Sequence, residues 1–270
     1  NTVIEHSADD STELYDASLP DLIPIVDKNG KWGFIDKNGN EVIPCKYDWA
    51  NYFSEGLAGV KMNGNWGFVD KNGKEVVPCE YDWFSDFSEG LAYVQMNGKW
   101  GFLKKNRKWG FIDKNGNEVI PCKYDDAGDF SEGFASVKMN DKWGFIDKYG
   151  NEVIQCKYNW ANTFSEGLAI VKMNCKYGFV NKNGNEVVPC KYDDACDFSE
   201  GLALVQMNGK WGFIDKNGNE VIPCEYGYAY GFSEGLASVE MNDKWGFIDK
   251  NGNEVIPCKY EEAYGFSNGL

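Results

Sequence analysis

Trp-Gly or Tyr-Gly recurs at Trp32, Trp66, Trp100, Trp109, Trp143, Tyr177, Trp211 and Trp245, and every interval is 34 residues except the nine from Trp100 to Trp109. A fixed period of this length means that one small unit has been copied, and that neighbouring copies bury their apolar faces against one another. One unit reads K-W-G-F-I-D-K-N-G-N-E-V-I-P-C-K-Y-D, then a variable stretch, then F-S-E-G-L-A-x-V-x-M-N. The stretch from Lys99 to Asn106 is the head of a unit lacking its other 25 residues, as recombination between near-identical copies would leave it. The chain therefore divides into a polar leader, 1–22, expected to be flexible, and a single repeat domain, 23–270, with a partial repeat at 100–108.

Within the unit the pattern is β. Asn38-Gly39, Asn72-Gly73 and Asn115-Gly116 lie between short apolar segments. This is the strongest local hairpin signal, because a type I′ turn needs positive φ at both central residues. A second turn recurs at Asn63-Gly64, Asn97-Gly98 and Asn208-Gly209. The pattern predicts a three-stranded meander, for example 57–62, 65–71 and 74–81, with Phe-Ser-Glu-Gly carrying the chain to the next unit.

A two-residue loop at Asn38-Gly39 sets the register. Asp36 then faces Glu41, Ile35 faces Val42, Phe34 faces Ile43, Gly33 faces Pro44 and Trp32 faces Cys45. Both faces are apolar, so each meander is expected to be sandwiched between like neighbours. The Trp of Trp-Gly reads as core, where roughly 200 Å² of burial contributes up to ~5 kcal/mol before entropy.

Face-to-face stacking is met by a closed β-propeller of seven units or by an open β-solenoid. Ile23-Pro24-Ile25-Val26 aligns with Leu57-Ala58-Gly59-Val60, and the last unit stops at Phe266-Ser267-Asn268-Gly269-Leu270, before its own such strand. The N-terminal segment is thus expected to supply the strand that the last unit lacks, which favours the closed ring.

The repeated Trp-Gly heads with their matching flanks resemble the WG-repeat family of bacterial proteins, over residues ~23–270. The resemblance implies β-structured repeats and a surface or secreted role, and it implies no catalytic residues. The chain begins at Asn1 rather than Met, as either signal-peptide removal or trimming would leave it.

A formal charge of −15 argues against nucleic acid and anionic membranes as partners, since both need basic surfaces. No apolar run approaches the ~20 residues that span a bilayer. The single histidine, His6, lies in the leader, so no nucleophile-histidine pair is built into the repeats. Carboxylates are expected to pair across the hairpin, Asp36 with Glu41 and Asp70 with Glu75, but their recurrence in every unit reads as architecture rather than hydrolysis. The D-K-N-G-N-E string superficially resembles a calcium loop, yet its Gly stands fourth rather than sixth, so no metal site and no cofactor is expected.

Seven cysteines, Cys45 to Cys258, hold one repeat position and read as small buried hydrophobes. Cys175 replaces a turn Gly and Cys196 a loop residue, with a bridge between them left open.

The variable stretch is the informative part. Aligned on Tyr47 it reads Y-D-W-A-N-Y-F, Y-D-W-F-S-D-F, Y-D-D-A-G-D-F, Y-N-W-A-N-T-F, Y-D-D-A-C-D-F, Y-G-Y-A-Y-G-F and Y-E-E-A-Y-G-F. Trp49, Trp83, Trp160, Tyr228, Tyr230 and Tyr264 vary against a fixed frame, and in repeat proteins such positions map to one loop face, often the binding face. The expected function is a non-catalytic scaffold, secreted or at the cell surface, that binds a protein or peptide through these aromatics. A glycan-binding module and a self-assembling filament protein are the alternatives.

Overall fold

The computed structural model describes residues 22–97 and 107–263. Their regular structure is all β: six antiparallel sheets of four strands and one of three, following one another along the chain. β1 (Leu22–Val26), β2 (Trp32–Asp36) and β3 (Glu41–Tyr47) form the first sheet. β4 (Trp49–Ser54), β5 (Leu57–Met62), β6 (Asn65–Asp70) and β7 (Glu75–Tyr81) form the second. Sheets spanning 83–124, 126–158, 160–192, 194–226 and 228–260 repeat the second.

The unit is four-stranded, not the expected three-stranded meander, because the variable stretch is itself a strand: Trp49 pairs with Lys61 and Ala50 with Val60. Phe-Ser-Glu-Gly does not carry the chain between units. It closes the β4–β5 hairpin, with φ of 48° at Glu55 and 89° at Gly56, the two positive values of a type I′ turn. The crossing falls at Asp48, between β3 and β4. Its N–H donates to the Lys61 carbonyl at 2.8 Å, and its carboxylate accepts from the Asn63 N–H at 2.8 Å and pairs with Lys31 at 2.6 Å.

Asn63-Gly64 and Asn208-Gly209 take positive φ at both positions, as the sequence predicts; Asn97-Gly98 falls partly outside the described residues. At Asn38-Gly39 only the glycine does. That loop holds three residues, with the Asp36 N–H donating to the Asn40 carbonyl at 2.9 Å and the Gly39 N–H to the Asp36 carbonyl at 3.0 Å. The extra residue slips the ladder. Phe34 still faces Ile43, but Ile35 faces Glu41 and Trp32 faces Tyr47 rather than Cys45. The expected carboxylate pairs are therefore not formed across the ladder: Glu41 lies opposite Ile35, and Glu75 opposite Val69.

A bulge beside Gly33 completes the shift, since residues 44–46 all oppose this one glycine. Pro44 has no N–H to give a regular ladder, and a Cβ on Gly33 would lie 2.5 Å from the Ile43 carbonyl oxygen. The second residue of Trp-Gly must be glycine because the bulged backbone occupies the space of its side chain.

Burial follows strand position. Leu57, Ala58, Gly59 and Val60 are buried in succession, so β5 is covered on both faces, whereas β7 fully buries only Val77 and Tyr81. Sheets meet large on small: Phe34, Ile43 and Tyr47 of the first pack on Ala50, Ala58, Val60 and Val69 of the second. Each such buried Phe or Ile contributes roughly 1.5–3 kcal/mol. The Trp of Trp-Gly is not the core residue expected. It is half-buried at the rim of each cluster, and the Phe two residues on fills the interior.

Polar contacts repeat the same pitch. Ser54 Oγ donates to the Phe87 carbonyl at 3.1 Å, and Glu55 accepts from the Gly90 N–H at 3.0 Å while pairing with Lys114 at 2.9 Å. Glu132, Glu166 and Glu200 make the equivalent pairs with Lys182, Lys216 and Lys250.

β1 takes the place in the first sheet that β5 takes in the second, as the alignment predicts, and it begins at Leu22, the last residue of the expected leader. Among the described residues the first sheet has three strands, and no strand pairing joins it to the last. His6, most of the 100–108 remnant and Phe266–Leu270 lie outside the described residues. Past the remnant, Trp109 pairs opposite Gln95, so Trp109 holds the Trp-Gly position of the third sheet. Described cysteines are all free thiols, including the exposed Cys175 and Cys196. The repeated ones are half-buried rather than interior, and burial pushes the Cys79 thiol up to about 11.

Candidate functional site

The variable strand follows each buried tyrosine with two fixed packing residues, an Ala or Phe and then a Phe, as Ala50 and Phe53 in β4. Strand alternation turns the residues beside them outward. Trp49, Trp83, Trp160, Tyr228 and Tyr230 are accordingly between 39% and 49% exposed. Tyr264, the sixth aromatic singled out from the sequence, lies outside the described residues.

These rings do not stand alone. Trp49 lies 4.8 Å from Trp32, and its indole N–H donates to Asn51 Oδ1 at 3.0 Å. Trp83 stacks on Tyr93 at 6.1 Å and meets Trp109 edge-on at 5.7 Å. Trp160 meets Tyr177 at 6.2 Å; Tyr228 lies between Trp211 and Trp245 at 6.1 and 5.9 Å, and Tyr230 stacks on Trp245 at 5.6 Å. Each variable aromatic thus widens a platform that a half-buried ring of the Trp-Gly frame begins. The two classes of aromatic form one surface.

Between the second and third sheets, with Asp129 reaching in from the fourth, that surface closes into an open-sided cavity of about 550 Å³. Trp49, Trp66, Trp83 and Tyr93 give it ring walls, and Asn51, Ser85, Asp86 and Asp129 give it polar groups. Only Trp49 and Trp83 of the predicted residues meet there; Trp160 and the Tyr228–Tyr230 pair belong to separate clusters further along. Apart from Trp66, which the sequence assigned to the core, the missed residues named here occupy the fifth and sixth positions of the variable stretch and the x of L-A-x-V. These positions vary as much as the aromatic one, and that variation was the available signal.

The cavity is electronegative. Asp129 is exposed, and partial desolvation at the cavity, with help from the Asp86 charge, raises its carboxyl above the ordinary carboxylate value. Burial also pushes the Tyr93 phenol up to about 12, reinforced by Asp129, Asp126 and Asp86.

The D-K-N-G-N string behaves differently. Asp36 Oδ1 accepts the Asn38 and Asn40 N–H groups at 2.8 and 2.9 Å, and Oδ2 accepts the Asn40 side-chain amide at 3.0 Å. Led by that amide bond, these hold the Asp36 carboxyl below its usual range. Its oxygens serve the turn, and among the described residues no three His, Cys, Asp or Glu side chains converge as a metal would require.

The family model described as WG containing repeat matches residues 32–66, 66–100, 109–143, 143–177, 177–211, 211–245 and 245–270. The chain belongs to the WG-containing repeat family. Among curated proteins none matches this WG-repeat chain. Of solved structures, a eukaryotic initiation factor is similar at a TM-score of 0.55 with 11% identity, over 86% of this chain and 72% of that one, which shows a shared fold and nothing of activity. Looser likenesses are to Kluyveromyces lactis Hsv2 (TM-score 0.41, 10% identity, 73% and 70% of the two chains) and Citrobacter koseri AztD (0.39, 12%, 89% and 79%).

Proposed function

We propose that this WG-repeat protein is a non-catalytic scaffold, secreted or at the cell surface, that binds a protein or peptide segment across its variable strands. One observation carries the reading: exposed rings that differ from unit to unit lie on half-buried rings that do not, and between the second and third sheets they wall a cavity of about 550 Å³. Large amphipathic rings on a rigid frame supply contact area at low entropic cost, and a few such anchors usually carry most of the binding energy.

The test is selection of a displayed random-peptide library on the wild-type protein, repeated on Trp49→Ser/Trp83→Ser/Trp160→Ser. Enrichment on the wild type alone, with the triple variant still folded, is the expected result. Hits on a glycan panel without peptide enrichment would replace this reading with sugar binding. Light scattering that grows with concentration would point to self-assembly.

We also read the stack as a closed propeller, supported by the three-stranded first sheet and by the fourth-strand pattern in Tyr260-Glu261-Glu262-Ala263. Deleting residues 261–270 should then lower Tm sharply, and an unchanged Tm would favour the open stack.

A further inference from the structure

We infer that the cavity between the second and third sheets takes a cationic side chain, a guanidinium or an ammonium, of a basic peptide segment. This rests on the peptide-binding reading above and names the chemistry of its occupant.

The argument begins with rings. Trp49, Trp66, Trp83 and Tyr93 line one space, Trp83 and Tyr93 stacked on each other, and a cation within ~6 Å of such a ring face is attracted by its quadrupole, most over Trp. The chain already uses this contact. Lys61 Nζ lies 5.2 Å from the Trp66 ring centre, and Lys172 Nζ lies 4.4 Å from that of Tyr177. Those lysines pair across the ladder from Trp49 and Trp160, whereas Trp83 has the buried, uncharged Gln95 at that position. Trp66 thus already lies under Lys61, whereas Trp83, a ring of the third sheet in the cavity, has no lysine across from it.

The carboxylates point the same way. Some acids of the repeat are paired at short range, as Asp48 with Lys31, Asp125 with Lys108 and Glu55 with Lys114. Asp197, the sixth-position counterpart of Asp129, accepts two hydrogen bonds from Asn162, at 2.8 and 3.1 Å. Asp86 and Asp129, both exposed, line the cavity with no lysine or arginine within ion-pair distance among the described residues. Two carboxylates without an ion-pair partner among the described residues, beside the Trp83 and Tyr93 rings and on a chain of net charge −15, favour a cation over a neutral sugar or an apolar side chain.

The probes are an arginine tetrapeptide and its citrulline counterpart, which keeps the shape and loses the charge. They are titrated against tryptophan fluorescence of the whole chain. Saturable binding of the arginine peptide, about tenfold tighter than the citrulline peptide, is expected. The same loss is expected for Asp86→Asn/Asp129→Asn. The control Asp141→Asn/Asp243→Asn removes equal charge from exposed turns and should bind as the wild type does. Equal binding of both peptides overturns the cationic occupant and leaves the peptide reading standing. Equal weakening by the control pair overturns the cavity as its seat, because bulk attraction then accounts for the effect. No binding of the arginine peptide overturns the inference outright, and the library selection decides separately whether the broader reading falls with it.

Discussion

The Asp-Lys-Asn-Gly-Asn turn and the stretch after each buried tyrosine are both surface segments, yet the first is nearly constant from unit to unit and the second is not. In the turn almost every group is engaged. Asp215 Oδ1 accepts from the Asn217 and Asn219 N–H groups at 2.9 and 2.8 Å, Oδ2 accepts from the Asn219 amide at 2.8 Å, and Gly218 holds φ of 82°. The variable strand needs only its backbone pairing and two packing residues, which frees its third, fifth and sixth positions. Constancy on a surface can therefore mark self-sufficiency, and variation marks the positions that the fold leaves free.

The largest effect that could break this comparison lies in the frame. Gly212→Ala places a Cβ 2.5 Å from the Ile222 carbonyl oxygen and 2.7 Å from the Cys224 nitrogen. Because that obstacle is backbone, a loss of about 3 kcal/mol or more is expected by chemical denaturation. A loss under about 1 kcal/mol would mean that the bulge yields and that the Trp-Gly signature has some other cause.

Asp215→Ala comes next. Removing the acceptor of three hydrogen bonds in a solvated turn should lower stability, by less than Gly212→Ala does. Thr163→Ala in the variable strand should stay within about 0.5 kcal/mol. Equal losses would erase the distinction between the two segments.

The smallest effects are read with pH, and the two regions should move in opposite directions. The Asp36, Asp215 and Asp249 carboxyls are held low, first by the side-chain amides of Asn40, Asn219 and Asn253. Their stabilisation is complete above the ordinary value of 3.8 and disappears as pH falls through the depressed values. Asp129 and Asp197, though exposed, are raised, first by partial desolvation. Their ionisation opposes folding, so their contribution is most favourable below 3.8 and is lost as pH rises through the raised values. Asp129→Asn should raise Tm slightly at neutral pH, with the gain shrinking toward zero as pH approaches 3.8. A gain that persists at that pH would show that charge is not its source.

The repeat, its β character, the glycine turns and the face-to-face stacking were legible in the sequence because each is a local or periodic property. Asn63-Gly64 needs only its own φ values, and Phe34 opposite Ile43 survives either loop length. Trp49 and Trp83 were legible as surface aromatics because they vary where Phe53 and Phe87 do not. Long-range placement was not legible. One extra loop residue at Asn38-Gly39 and a bulge at Pro44 moved Trp32 from opposite Cys45 to opposite Tyr47, and strand alternation carries no record of such slips. That Asp129, 46 positions after Trp83 in the chain, shares a cavity with it depends on how neighbouring sheets stack. Sequence periodicity fixes which residues recur, and only the packing of one sheet on the next decides which of them meet.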